Sequence, residues 1–500
     1  MRIGGECCLD ADADGFCDVY EPLAACDASA GPCVVHPFAF AGLYTEEDYG
    51  RAADAGATAS RPEVSWDEVE PADGDTSFAE LEAAYDALVA HGLPPMVSLR
   101  AKRGWGTHCA GRSLPCPPSF PRCPHTYASC PPEDLSSAWC CEYGYSRRYY
   151  GFVSAVLDHM FEVGRPIEWI IVENEVNTMV FWHGSGDEYA KTRATVYKAV
   201  KDFNAARGTA VKVVDNGVAG GMWSAVLIFD LYCAGSTEEA LDFARRSYRR
   251  TAEEEITADT LAERIDCANP PRDYQIVKGL FRTEAALGSL PTFDAMSYHF
   301  YEPWDTQEEV IAYIRAEMAA NGYERPLLHS EGGYVDRLRV YGEGAPDPLA
   351  EDVADDLIKN HVVAFAAGVS VWTWYPLVER PAADGVESEY RGLYAPEPEA
   401  EARPALAAYR LLTAKLDGFG EAAPLDLGDG VFAFRFTVGG APVVVLWGGA
   451  ETAADLTAVL PGEACATRRV LFDEVAEVVS SDAVVVSATP RFVEPLDACL

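Results

Sequence analysis

Eight times between residues 38 and 377 a short apolar run with strand character precedes a helix-like segment. The runs are FAFAGLY (38–44), ATASRPEVSW (57–66), PPMVSLRA (94–101), IEWIIVENEVN (167–177), AVKVVDNG (210–217), FDAMSYHFY (293–301), PLLHSEGGY (326–334) and GVSVWTWYPL (368–377). Strands joined through helices must run parallel, and eight such units in succession predict an α/β chain folded as a (β/α)8 TIM barrel. Its chemistry is expected at the C-terminal ends of the strands.

The barrel is expected over residues 35–418, with two long insertions. Residues 102–142 hold six Cys among many Pro, and 222–290 read as additional helices. After RPALAAYRLLTAKLDG (403–418) the pattern changes to short alternating strands, which predicts a C-terminal β-sandwich over 419–500. Residues 1–34 form a short Cys-rich segment. Within it DADADGFCDVYE (10–21) fits the D-x-D-x-D-G-x5-E calcium loop, with Asp10, Asp12, Asp14, the Phe16 carbonyl, Asp18 and Glu21 as oxygen ligands. A calcium ion there is expected to be structural, and no cofactor is expected for catalysis.

Fifteen Cys without repeated CxxC pairs, many set in Pro-rich loops, predict disulfides and an extracellular or otherwise extracytoplasmic location. Cys233 with Cys267 and Cys465 with Cys499 are the expected pairs, each couple being isolated in sequence from the other cysteines. The odd total leaves at least one thiol free or paired between molecules. The opening MRIGGECC lacks the apolar core of an export signal, so none is expected within these residues. No run approaches the roughly 20 apolar residues of a membrane span. The 79 acidic residues against 39 basic ones give a net charge of −40, which excludes nucleic acid as an expected partner.

Glu175 follows Asn174 at the end of the fourth run, and Glu331 ends the seventh. A carboxylate at the rim of an apolar core is costly to desolvate unless something uses it. Two of them across a barrel mouth suit hydrolysis of a glycosidic bond, one acid protonating the leaving oxygen and one carboxylate attacking the anomeric carbon.

With these residues in place, the chain resembles the glycoside hydrolases of clan A, the retaining (β/α)8 superfamily. The resemblance implies Glu175 as acid/base beside Asn174, and Glu331, in HSEGG, as nucleophile. It also implies Arg61 at the end of the second strand, His299 and Tyr301 near the end of the sixth, and Trp372 or Trp374 on the eighth as substrate-binding groups. The tail RPALAAYRLL before a small sandwich is similar to the family containing β-xylosidases and iduronidases. Where relatives often read Trp-Asn-Glu-Pro, this chain has Glu173 and Val176.

Of Trp372 and Trp374, one is expected to line the pocket and the other to pack under the helices, with Trp374 as the sugar platform. Trp105 and Trp182, and also Trp223 and Trp304, follow strands and are candidates for stacking on sugar rings. Arg61 is expected to keep Glu331 ionised. The expected activity is that of a secreted retaining β-glycosidase acting on a polysaccharide or oligosaccharide. The alternative is a catalytically silent carbohydrate-binding or surface-adhesion protein on the same barrel. Metal-assisted hydrolysis would need clustered His ligands, and the nine His are scattered.

Overall fold

The computed structural model describes residues 36–110, 128–248, 256–284, 287, 289–335, 350–379, 391–396, 398, 400–449 and 451–498, together with the backbone of 2–3, 6–7 and 499. The calcium loop expected at 10–21 lies outside the described residues.

Each of the eight strand-like runs contains a parallel strand. They are Phe38–Ala41, a second split into Ala59–Arg61 and Glu63–Ser65, then Met96–Arg100, Trp169–Val172, Lys212–Val214, Met296–Phe300, Leu327–Gly332 and Val369–Trp374. The split falls at Pro62, which has no N–H to give to a ladder. One arc runs second, first, eighth, seventh, sixth; the other continues from the second piece through the third and fourth to the fifth. Parallel bridges Ser60–Pro95 and Val214–Ala295 join the arcs at both ends.

Alternation along these strands separates two faces. Ala39, Met96, Ile171, Val214, Ala295 and Leu328 pack together on one side. On the other, Phe38, Phe40, Val97, Leu99, Ile170 and Val172 join the large core beneath the helices. The helices are punctuated as their sequences dictate. Gly186–Arg207 starts with a Ser185/Glu188 capping box and stops at Gly208, whose φ of 68° suits a residue without Cβ.

The 222–290 insertion forms helices Met222–Cys233, Thr237–Ser247, Ala258–Arg264 and Arg272–Leu280, and Cys233 is bonded to Cys267 as expected. In the other insertion Cys109 is bonded to Cys130, Cys141 is also disulfide-bonded, and Cys140 is a free thiol. Cys465 is disulfide-bonded, while the side chain of Cys499 lies outside the described residues.

Beyond the helix Pro404–Leu416 lies a six-stranded antiparallel sheet, Phe419–Pro424, Val431–Val438, Ala441–Gly448, Arg491–Pro495, Glu463–Val470 and Asp473–Ser480 in spatial order. A ribbon of Thr452–Ala454 and Val484–Val486 covers one of its faces through Val444, Leu446, Val484 and Val486. From the other face Phe434, Phe436, Val445, Trp447 and Phe492 join the large core, so the sheet is held to the helices by continuous apolar burial. No helix among the described residues is long and apolar enough to cross a membrane.

Candidate active site

Simple alternation explains the sixth strand. Met296, Tyr298 and Phe300 face the helices, so Ser297, His299 and Tyr301 face inward. The seventh strand breaks the rule: its pairing runs Leu327–Met296, Leu328–Ser297 and His329–Tyr298, then skips to Glu331–His299. Ser330 is thus the extra residue of a bulge, and the bulge turns Glu331 inward where unbroken alternation would have sent it outward with His329.

At the end of the fourth strand two non-glycine residues take left-handed backbone, Glu173 with φ 65° and Glu175 with φ 42°. Such conformations cost of order 1–3 kcal/mol each and gather at functional sites. They sever the strand's alternation, so that neighbouring polar side chains diverge. Glu173 is buried against the third strand, where it accepts from the Ala101 amide at 2.7 Å and stands 3.5 Å from Arg100. Asn174 and Glu175 turn into the mouth instead.

There the two arcs converge. Arg61 Nη1 donates to Glu331 Oε2 at 2.8 Å and Arg61 Nη2 to Asn174 Oδ1 at 2.6 Å. Tyr301 Oη donates to Glu331 Oε1 at 2.9 Å. His299 Nδ1 lies 2.9 Å from Glu175 Oε1. One carboxylate oxygen of Glu175, one of Glu331 and a ring nitrogen of His299 all lie within 4.8 Å of one another. The Glu175 and Glu331 side chains remain 12% and 16% exposed, so neither is sealed beneath hydrocarbon.

Burial alone would raise the Glu331 carboxyl, but the charges of His299 and Arg61 and the hydrogen bonds from Tyr301 and Arg61 outweigh it and hold the group below the usual carboxylate range. Burial, followed by the negative Glu331, pushes the Tyr301 phenol well above its ordinary value. Tyr301 therefore keeps its proton and donates it, and Glu331 accepts as an anion.

The expected aromatic platforms are elsewhere. Trp372 and Trp374 are both fully buried and both lie against His361 of the helix Ala350–Ala366. Residues two apart share a strand face, so the expectation that one would line the pocket fails for both. Trp182 is fully buried as well, edge-on to Tyr189 and bonded through Nε1 to the Ser185 carbonyl. Trp105 has its ring under Arg148 at 5.2 Å and its edge near Trp66. Trp223 packs on Phe281, and Trp304 on Trp447 of the C-terminal sheet.

Aromatic contact comes instead from Tyr375 and Phe181, which with Arg61, Asn174 and Glu331 line a cavity of about 850 Å3. The sequence did carry a signal for Tyr375, since it falls on the opposite parity from Trp372 and Trp374. It carried none for the charged wall of that cavity, Glu63, Arg100 and Lys102.

No protein-family model matches the chain, and no curated protein does. Solved structures match along most of its length. A family 39 glycoside hydrolase from the gut symbiont Bacteroides cellulosilyticus WH2 aligns with TM-score 0.55 at 14% identity, over 92% of this chain and 81% of the other. A conserved exported protein from Bacteroides fragilis gives 0.53 at 12%, over 93% and 98%. A glucosidase from Croceicoccus marinus gives 0.52 at 12%, over 92% and 95%. At such identities the likeness is one of architecture, and the resemblance read from the sequence holds at that level: the chain shares the fold of the family 39 glycoside hydrolase and of the glucosidase.

Proposed function

We propose that this protein is a secreted retaining β-glycoside hydrolase whose eight parallel strands close as a (β/α)8 barrel. The observation that carries the reading is the separation of the two carboxylates, whose oxygens approach within 4.8 Å. Retention calls for carboxyl groups about 5–5.5 Å apart, whereas an inverting enzyme holds them roughly 6.5–9.5 Å apart to admit water between them.

In this scheme Glu331, kept ionised by Arg61 and Tyr301, attacks the anomeric carbon as Glu175 passes its proton to the departing oxygen. The C–O bond to the leaving group breaks and an ester to Glu331 forms. Glu175, now a carboxylate, takes a proton from water. The resulting hydroxide attacks the anomeric carbon and releases Glu331. Asn174 offers its Oδ1 to Arg61, which can only donate. The amide hydrogens on its other edge are then placed to bond a sugar 2-hydroxyl.

The disulfides support action outside the cytoplasm. A structural calcium ion at 10–21 belongs to the same reading, and chelation is expected to lower the melting temperature of the full chain without changing the reaction. The test of the function is hydrolysis of aryl β-glycosides and of plant, algal and microbial polysaccharides by the wild type, Glu175→Gln and Glu331→Gln, with the first-formed anomer recorded. A β anomer is expected from the wild type, lost on every substrate in Glu331→Gln and on the polysaccharides, whose leaving groups are poor, in Glu175→Gln. An α anomer first, or equal turnover by Glu331→Gln, would sink the mechanism. Sugar binding without hydrolysis of any substrate would instead indicate the silent carbohydrate-binding protein.

A further inference from the structure

The cavity beside Glu331 extends along the second and third strands, and its lining includes Asn174 and Glu331 but not Glu175. It thus lies on the nucleophile's side of the site, away from the group that serves the leaving oxygen. Of its roughly 850 Å3, part runs behind the strands to Leu81, Tyr85 and Leu88 of the helix Ala79–Ala90, and the part beside Glu331, Glu63 and Lys102 is the one open to a substrate.

Its wall is built around Lys102. This residue sits just past the third strand in left-handed backbone, φ 37°, a conformation that bulky side chains hold only where their surroundings impose it. Lys102 Nζ lies 2.5 Å from Glu63 and 3.2 Å from Glu68, and Glu63 also accepts from Arg100 Nη1 at 2.8 Å. The Glu63 side chain is nevertheless 37% exposed, so it keeps lone pairs open to the cavity. Burial would raise the Glu63 carboxyl, yet Arg100 and Lys102 bring it down to about 2. Burial would lower the Lys102 ammonium, and Glu63 raises it.

The pair therefore presents, side by side, a permanent acceptor and a permanent donor. Neighbouring hydroxyls of a sugar ring match that arrangement, one donating to Glu63 and the next accepting from Lys102. The field around the pair selects further. Arg61, Arg100 and Lys102 are set against Glu331, Glu63, Glu68 and Glu80, in a chain of net charge −40. An added carboxylate or sulfate would enter a cavity already negative.

The geometry points to a glycone subsite for neutral sugars, in which Lys102 and Glu63 together grip neighbouring hydroxyls on the non-leaving side of Glu331 and which rejects uronic acids and sulfated sugars. This rests on the glycosidase reading only for the orientation of the substrate, and its test is separate. Cellobiose, xylobiose and mannobiose, and the aldobiouronic acids that correspond to them, are titrated calorimetrically into Glu331→Gln protein. At least one neutral disaccharide is expected to bind, with its acidic counterpart at least tenfold weaker. Adding Lys102→Met or Glu63→Gln is expected to weaken the neutral sugar at least tenfold. Glu63→Gln keeps an acceptor for Arg100, so it tests the site even where Lys102→Met impairs folding. Failure of every neutral disaccharide to bind, tighter binding of an acidic one, or indifference to both substitutions overturns the proposal. Turnover distinguishes the two ideas. Hydrolysis abolished by Glu331→Gln together with binding indifferent to Lys102 and Glu63 removes the subsite and leaves the enzyme; binding that obeys the pair in a protein that never hydrolyses does the reverse.

Discussion

Tyr301 Oη donates to one oxygen of Glu331 at 2.9 Å while Arg61 holds the other at 2.8 Å. The two donors come from the strands at opposite ends of the same arc, the second and the sixth, so the carboxylate is fixed in position as well as in charge. Tyr301→Phe removes one charge-assisted hydrogen bond, and loss of about 1.5–3 kcal/mol corresponds to a roughly tenfold to hundredfold fall in kcat/KM. The sign of the pH effect follows. Tyr301 helps to hold the Glu331 carboxyl low, so its removal lets that group rise and moves the acid limb of the kcat/KM profile to higher pH.

Glu173 and Glu175 lie two residues apart and are expected to behave oppositely. Glu173→Gln keeps an acceptor for the Ala101 amide, to which Glu173 is bonded at 2.7 Å. Its kcat should stay within a fewfold of wild type, while Glu175→Gln loses turnover on substrates with poor leaving groups. Glu173→Ala leaves Arg100 with less of its buried countercharge, and chemical denaturation should report destabilisation of about 3 kcal/mol. Abolished activity in well-folded Glu173→Gln would transfer the acid role to Glu173.

Gly217 lies directly under His299: a Cβ there would stand 1.9 Å from the ring Nε2. Its carbonyl accepts from the Glu175 amide at 2.9 Å. Gly217→Ala therefore displaces both His299 and the backbone that presents Glu175. Overpacking of this kind costs about 1–3 kcal/mol of stability, and a displacement of about 1 Å at reacting groups costs on the order of a hundredfold in rate. Steady-state kinetics and a melting curve on the same sample check both. Combining Gly217→Ala with His299→Ala should fall short of additivity, because the two act through one contact.

The Cys233–Cys267 bond closes a loop with a sequence separation of 34. Chain entropy assigns such a crosslink about 3–4 kcal/mol. Replacing both Cys by Ser should lower the unfolding midpoint, and amide hydrogen exchange should quicken first in the helices Met222–Cys233 and Ala258–Arg264. Exchange that quickens elsewhere while these helices stay protected would assign the bond a different part in stability.

The linear pattern determined a good deal. Eight apolar runs at βα spacing suffice for the parallel strands, since each run can bury itself only beside its neighbours. The ends of the fourth and seventh runs were readable as the places where Asn174, Glu175 and Glu331 would emerge, and the isolation of Cys233 and Cys267 in sequence was readable as a bond. What tertiary structure alone decided was where side chains aim. Glu331 faces inward only because the strand pairing inserts Ser330 as an extra residue, and register belongs to two strands, not to one. Trp372, Trp374 and Trp182 are covered because the helices Ala350–Ala366 and Gly186–Arg207 fold back over them, so exposure was never encoded in the residues themselves. Lys102 and Glu63 meet across adjacent strands, and their pairing exists only when both desolvate into the same wall. Local periodicity sets which elements form; burial and register, being properties of the assembled sheet, set which of their side chains can do chemistry.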